Sequence, residues 1–589
     1  MMPMPSYQPE LAPIERRLVE QYLNTYCRET ACFDPRLAAD DQGPAELHSQ
    51  INTWRASGWM PYLVTFGQTQ YQLAGAFTYF SPIGYHRLAP CAWIGLNGDW
   101  QALTTDATPF TDLIADALVA MSNPAGRNQP GSSRPGEMEE SGSRLKALMR
   151  NSIERVRRFH LHKPARGCPP FVTAEQGLRF GHIFHVTSKA AEGFSEEDIQ
   201  RYAPELGASF RLHYFAVSAD ILETRIVGGQ HLAVDPEVAL FTKDLLCGGN
   251  CELIPCHPWQ ANYLLGLAEI KALIESGKLI SLGPQGEVAW PTSSLRTVWL
   301  PRQNLFLKLS LNIRITNFIR NNPSEQVRRA LDASLALSML PRHFLEQPTF
   351  RILPELASQT LRLPTESLRA ACAVVYREAM PPTEAEHVQT IVTVLEEPAH
   401  GEIPLLALLR LSAARKPLRE PLVRSWWKHY LDATLLPLLR LFMGYGVSLE
   451  AHLQNTLIAF HNGWPVRGYV RDMEGASISR ERFPFSGRLP GDSPALYPEE
   501  QAWHRFQYYV LVNHIGHVIA CLAREGLATE AMLWRDTAFA LSTIDDPLIR
   551  RLLIQPTLPA KANMLSSFYQ RGESPSWVEI PNPMAQRQE

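Results

Sequence analysis

Pro291-Thr292-Ser293-Ser294-Leu295-Arg296-Thr297, then Leu305-Phe306-Leu307-Lys308-Leu309, then Ile315-Thr316-Asn317-Phe318-Ile319-Arg320: these three runs set two arginines and a lysine among strand-forming apolar residues. Lys308 lies inside one apolar run and Arg320 closes another, and both runs read as strands. A buried cation without a partner is costly, so each one needs a protein carboxylate or an anionic ligand. Three cations and several hydroxyls on adjacent strands suit a polyphosphate. An internal ion-pair network satisfies the same spacing, and the two readings stand side by side. Either way, the stretch predicts buried strands carrying polar chemistry, in a mixed α+β fold.

The chain around it supports that class. Pro13 to Glu29 reads as a helix with Leu18, Tyr22 and Leu23 on one face. Tyr62 to Phe66 and Gln70 to Phe77 read as strands joined by a turn at Gly67. Ser122 to Ser143 is rich in Gly, Ser, Pro, Asn and Glu and reads as a mobile loop, followed by a basic helix from Arg144 to His162. The middle mixes short strands with helices. Beyond about Pro364 helices dominate, as in Leu405 to Ala414 and Ser425 to Met443, and Ala476 to Glu500 reads as a second loop. No internal repeat is visible.

At 589 residues the chain should form three or more structural units. With 45% hydrophobic and 20% charged residues it is globular. A net charge of −3 lacks the basic excess of a nucleic-acid binder. Met1 to Pro13 has no apolar core behind a basic patch, so no signal peptide is read there. The most apolar helix-like run, Ala502 to Ala523, is broken by His504, Arg505, Asn513, His514 and His517, and is not read as a membrane span. A cytosolic protein is expected. Nine cysteines, odd in number and widely spaced, read as free thiols. Cys247, Cys251 and Cys256 lie close together but lack paired CxxC spacing, so structural thiols are favoured over a metal site.

No phosphate loop, dinucleotide fingerprint, nucleophile elbow or zinc helix is present. Three further polar clusters stand out instead. Gly181-His182-Ile183-Phe184-His185-Val186-Thr187-Ser188-Lys189 follows Glu175 and offers two histidines and a lysine. These suit an anion, and they equally suit two satisfied histidines at a strand end. His257-Pro258-Trp259-Gln260 is rigid and aromatic and reads as a structural corner. Leu449-Glu450-Ala451-His452-Leu453-Gln454-Asn455 precedes Val466-Arg467-Gly468-Tyr469-Val470-Arg471-Asp472-Met473-Glu474-Gly475. Glu450 and Asp472, near amides and a histidine, suit Mg²⁺, which favours one or two carboxylates plus phosphate oxygens and water. A solvated acidic turn is the alternative.

Taken together, in this order and spacing, the clusters resemble the NRPS-independent siderophore synthetases, the aerobactin-synthetase-like IucA/IucC family. The resemblance covers nearly the whole chain. In the first motif the family's two prolines stand as Ile183 and Val186, while both histidines and the lysine are kept. The resemblance implies a cupped hand with a thumb (1–175), fingers (176–365) and a mainly helical palm (366–589) around one deep site, often in a homodimer. It implies an ATP-dependent ligase. Such an enzyme adenylates a carboxylate of citrate, releases pyrophosphate and condenses the acid with an amine or alcohol. By carry-over, Ser294, Arg296, Thr297 and Lys308 would bind ATP, with Gln454 and Asn455 lining the nucleotide pocket. Glu450, Asp472 and Glu474 would hold Mg²⁺. His182, His185, Arg320 and His452 would hold the carboxylate substrate, with His182, Arg320 and His452 closest to the chemistry, and Lys189 would serve either ligand. A pre-formed citryl amide, a succinyl unit or an α-ketoglutarate unit are alternative acids. The family's C-terminal half is distantly similar to ferric-siderophore reductases. Those need clustered C-terminal cysteines, and here only Cys521 follows Cys372.

Overall fold

Leu305–Leu309 is buried at every position, as its sequence demands. It pairs with Thr297–Leu300 on one side and Val374–Glu378 on the other, in an eight-stranded sheet built from strands between residues 210 and 378. The register sets Lys308 opposite Thr297, and Arg377 opposite Phe306. Because side chains alternate across a strand, Thr297, Lys308 and Arg377 share one face of the sheet. The other face, with Leu305, Leu307, Leu309, Val298 and Leu300, packs into an apolar core. One sheet thus presents charge on one side and is held in place from the other.

The computed structural model describes residues 12–585 apart from 104–105, 123–134, 163–167, 229–234, 243–250, 316–317, 399–400, 415 and 573. Thr316, Asn317, Cys247 and the centre of the expected loop after Ser122 lie outside the described residues. Within them, helix Pro13–Glu29 packs with Thr108–Ser122 and Pro135–Leu161 against a four-stranded meander that begins Met60–Thr65, Tyr71–Tyr79. Helix Pro135–Leu161 starts well before Arg144, so the latter part of the expected loop is helical. One of the glycines behind the loop reading, Gly142, has a packing role: a Cβ there would lie 2.7 Å from Val119, so the glycine serves close approach of two helices. The expected helix from Ser425 to Met443 is two helices, Glu420–Ala433 and Leu435–Tyr445, broken at Thr434.

A second mixed sheet takes strands from Glu346–Gln347 to Trp464–Arg471. Both large sheets therefore draw strands from either side of residue 365, the expected fingers–palm boundary. The largest core among the described residues is mostly C-terminal, with Trp426, Trp427, Trp503 and Trp534, and takes in Tyr85, Ile183 and Phe184 from earlier in the chain. Among the described residues, one helical stretch is long and apolar enough to cross a membrane, Glu499–Arg524, and its apolar window is wholly buried inside the fold. The His257–Gln260 run is a structural corner: His257 caps helix Pro258–Leu265, and Gln260 bonds Ala371 O and Asn312 N.

Candidate active site

The charged face of the eight-stranded sheet opens on a cavity of about 770 Å³. Eight Lys and Arg side chains and four carboxylates line it, so its wall carries a cationic surplus. On the sheet side, Thr292 N–H donates to Thr297 O (2.9 Å), which closes a tight loop. Leu295 at its tip has φ 64°, left-handed for a branched residue. Ser294 and Thr297 bring their hydroxyls within 3.3 Å of each other at the cavity wall. Arg296 is buried, and its Nη1 donates to Arg320 O, Asn321 O and Asn322 Oδ1 at 2.6–3.1 Å. It thereby ties this loop to the segment carrying Arg320.

Lys308 forms the ion-pair network that one of the two sequence readings expects. Its Nζ lies 2.8 and 3.1 Å from the Asp472 oxygens and 2.6 Å from Glu474 Oε2. The ion-pair network exists, and it lines the cavity wall. Arg377, 2% exposed, adds a contact of 3.1 Å to Asp472 and pairs with buried Glu355 at 2.8 Å. Burial pushes the Asp472 carboxyl up, but Lys308 and Arg377 outweigh it and hold it well below the usual range. Asp472 itself has φ 75°, a second left-handed non-glycine residue at the cavity.

The opposite wall comes from the C-terminal third. His452 Nδ1 accepts N–H bonds from Gln454 (3.2 Å) and Asn455 (3.4 Å), which assigns the proton of its neutral ring to Nε2. Burial lowers its pKa, with Glu450 acting against the shift. Glu450 is held below its ordinary value, because His452, Lys561, Arg505 and the Tyr509 hydroxyl outweigh its burial. A Cβ on Gly475 would fall 1.7 Å from Glu450 Oε2, so a glycine must stand where that carboxylate passes. Gln454 donates to Ser293 Oγ (3.2 Å), and Arg471 pairs with buried Glu175 at 2.8 Å. Glu175 also accepts from Ser293, joining the two walls.

His185 and Arg320 reach the same cavity. Burial, then Arg320 and Lys561, push the His185 ring down to about 4, so it stays neutral. His182 and Lys189 are not among the residues lining it. His182 bonds Asn513 behind the wall, and Lys189 forms a buried pair with Glu205 at 2.5 Å. Arg377, Arg505, Tyr509 and Lys561 line the cavity without having been singled out in the sequence. Arg377 and Lys561 do share the signal that exposed Lys308, a cation inside an apolar strand. Among the described residues no group of three His, Cys, Asp or Glu is arranged to hold a metal ion. The three acidic residues nonetheless give hard oxygen donors on one cavity, which fits Mg²⁺ when phosphate oxygens complete its shell.

A model described as the IucA / IucC family matches residues 170–396. One described as ferric iron reductase FhuF-like transporter matches residues 424–576. Within that second stretch Cys521 stands alone, fully buried, its thiol pushed up to about 11 by burial. The chain is 33% identical over 549 residues to the L-2,3-diaminopropanoate–citrate ligase of Staphylococcus aureus, covering 88% of this chain and 90% of that protein. It is 29% identical over 505 residues to the N(2)-citryl-N(6)-acetyl-N(6)-hydroxylysine synthase of Escherichia coli, covering 82% and 84%. The ATP-bound aerobactin synthetase IucA of Klebsiella pneumoniae has the same fold, with TM-score 0.79 and 23% identity over 97% of this chain and 100% of that one. The similarity runs through both halves, and the chain belongs to the IucA/IucC family of siderophore synthetases.

Proposed function

We propose that the cavity binds ATP and citrate together, activates a citrate carboxylate as its adenylate, and passes the acyl group to an amine or alcohol. The observation that carries this reading is the cationic surplus of a single 770 Å³ cavity whose walls come from the sheet and from the C-terminal third. A triphosphate and a tricarboxylate both need such a surplus, and adenylation needs them side by side.

The division of labour follows the two walls. Ser294, Thr297, Lys308 and Arg377 meet the phosphates, and Arg296 holds the loop in place. Gln454 and Asn455 border the nucleotide. Arg320, His185, His452 through its Nε2–H, and Lys561 hold citrate. A citrate carboxylate oxygen attacks the α-phosphorus, the α–β bridging bond breaks, and pyrophosphate leaves. The nucleophile's nitrogen or oxygen then attacks the acyl carbon, loses its proton, and AMP departs with the carboxylate oxygen. Mg²⁺ supplies charge neutralisation on the phosphates when bound, with Asp472, Glu474 and Glu450 as its protein oxygens. Lys308 would then exchange carboxylate partners for phosphate oxygens. A homodimer working in the cytosol is the expected setting.

The test is pyrophosphate release with a panel of acids: citrate, a citryl amide, succinate and α-ketoglutarate. Each is assayed first alone and then with amines and amino alcohols. Citrate should support release by itself, and the nucleophile should raise turnover. Release with none of the acids would remove the reading.

A further inference from the structure

The long C-terminal helix changes winding at the cavity. Glu499–Phe506 and Gly516–Arg524 are α-helical, but Gln507–Ile515 between them is a π-helix. Such segments are rare, usually a single turn, and frequent at functional sites. In an α-helix residues five apart lie about 140° apart around the axis. Bonding from i to i+5 brings them close to one face. Tyr509 and His514 are five apart, and Asn513 lies beside them. Tyr509 bonds Glu450 and accepts from Lys561 Nζ at 2.9 Å. His514 bonds Ala451 O at 3.0 Å and the Tyr430 hydroxyl at 2.5 Å. Asn513 reaches across to His182, 2.5 Å from Nε2. The carbonyl of Val512 accepts from the Tyr85 hydroxyl at 3.0 Å. The π-helical segment therefore grips both histidine-bearing segments.

His182 is the brace of its own loop. Its Nδ1 accepts from Phe184 N–H at 3.1 Å, so the neutral ring carries its proton on Nε2. That N–H needs an acceptor, but the amide atom set 2.5 Å from Nε2 is the Asn513 nitrogen Nδ2, while Asn513 Oδ1 is buried with no hydrogen-bond partner among the described residues. The amide therefore belongs with Oδ1 toward the imidazole. The loop is also tied through Lys189, which pairs with Glu205, through Ser188, whose hydroxyl donates to Phe180 O at 2.6 Å, and through its backbone. Gln21 donates to His182 O and His185 O at 2.7 and 3.1 Å, and Asn563, at the cavity, donates to Phe184 O at 3.0 Å. The loop opens at Gly181 with φ 82°. Its ring contact to Asn513 is what connects it to the π-helix.

We propose that Asn513 is a positioning residue for acid activation. By accepting the His182 Nε2–H, it holds the Gly181–Lys189 loop so that His185 faces the cavity. His182 thereby acts through the loop. The kinetic consequence rests on the proposed function, since it reads the acid's KM; the structural consequence does not.

Asn513→Leu keeps the branched outline, with somewhat larger volume, and removes the acceptor. KM for the acid should rise about fivefold or more, the effect of one lost hydrogen bond, while KM for ATP stays within about twofold. Asn513→Asp retains an acceptor and should keep the acid's KM near the wild-type value. In a His182→Gln background, Asn513→Leu should add nothing further. Crystal structures of wild type and N513L read the loop directly, and His185 should leave the cavity wall in the variant. An unmoved loop in N513L overturns the inference, as do equal rises in both KM values with N513D equally impaired. If wild type activates no acid at all, the functional reading fails, and the two crystal structures still decide this one.

Discussion

Lys308→Met tests whether the ion-pair network at the cavity wall is also the phosphate site. Nζ lies within 3.1 Å of three oxygens from Asp472 and Glu474, and the lysine side chain is 7% exposed. Breaking a buried pair by removing one partner costs about 3–5 kcal/mol, because the opposite charge is left uncompensated. Here the lower end applies, since Arg377 remains 3.1 Å from Asp472. The melting temperature should fall accordingly. For catalysis, losing a desolvated charge that faces phosphate costs about 2–5 kcal/mol of transition-state stabilisation, or roughly 30- to 5,000-fold in kcat/KM. The same variant should lose the thermal protection that ATP with Mg²⁺ gives the wild type. Pyrophosphate release at saturating citrate and varied ATP, paired with melting curves with and without nucleotide, measures all three. A variant that melts lower, yet keeps kcat/KM for ATP within threefold of wild type and is still protected by nucleotide, would show that Lys308 serves the fold alone. The phosphate assignment would then be wrong.

Arg320→Lys keeps the charge but loses the planar fork, so KM for citrate should rise about 10- to 100-fold with little change for ATP. Parallel rises in both values, with a lowered melting temperature, would assign Arg320 to structure. Asp472→Asn should raise the Mg²⁺ concentration needed for half-maximal pyrophosphate release, and an unchanged value would place the metal elsewhere. Burial pushes the Glu396 carboxyl from 4.5 up to about 7, against the Phe180 N–H, Lys189 and the Arg179 N–H. Between those values the unfolded chain has released a proton that the folded chain keeps, so this group's stability contribution falls as pH rises through the window and is flat above it. Glu396→Gln should flatten that part of the melting-temperature profile; an unaltered slope would refute the assignment.

The elements legible in the sequence were those whose pattern is local. Helix Pro13–Glu29 and the first two strands follow from apolar spacing and a turn glycine. Helix Pro135–Leu161 was hidden because its first turns carry glycines and acids, and only contact with Val119 explains Gly142. The break at Thr434 and the π-helix at Gln507–Ile515 were equally hidden, because neither position carries a proline or glycine that would mark a change of winding.

The site was legible to the extent that burying charge is conspicuous. Lys308 stood out because no apolar strand carries a lysine without cause, and the same rule, applied evenly, points to Arg377 in Val374–Glu378 and Lys561 in Thr557–Ala562. The rule names the cation but not its partner. The resemblance assigns Asp472 and Glu474 to a metal and Lys308 to phosphate, yet the three meet one another. These roles are compatible if the pairing is the resting arrangement of a site that receives both a cation and a polyanion. Carboxylates and lysine then neutralise each other until a metal–phosphate complex offers each a replacement. Such a cavity avoids holding bare like charges together in the free enzyme, where their mutual repulsion would weigh against folding. The histidines follow the opposite logic. His182 and His185 sit three residues apart, and a sequence motif treats them alike. Geometry sends only His185 to the cavity, and turns His182 inward to hold the loop that carries it.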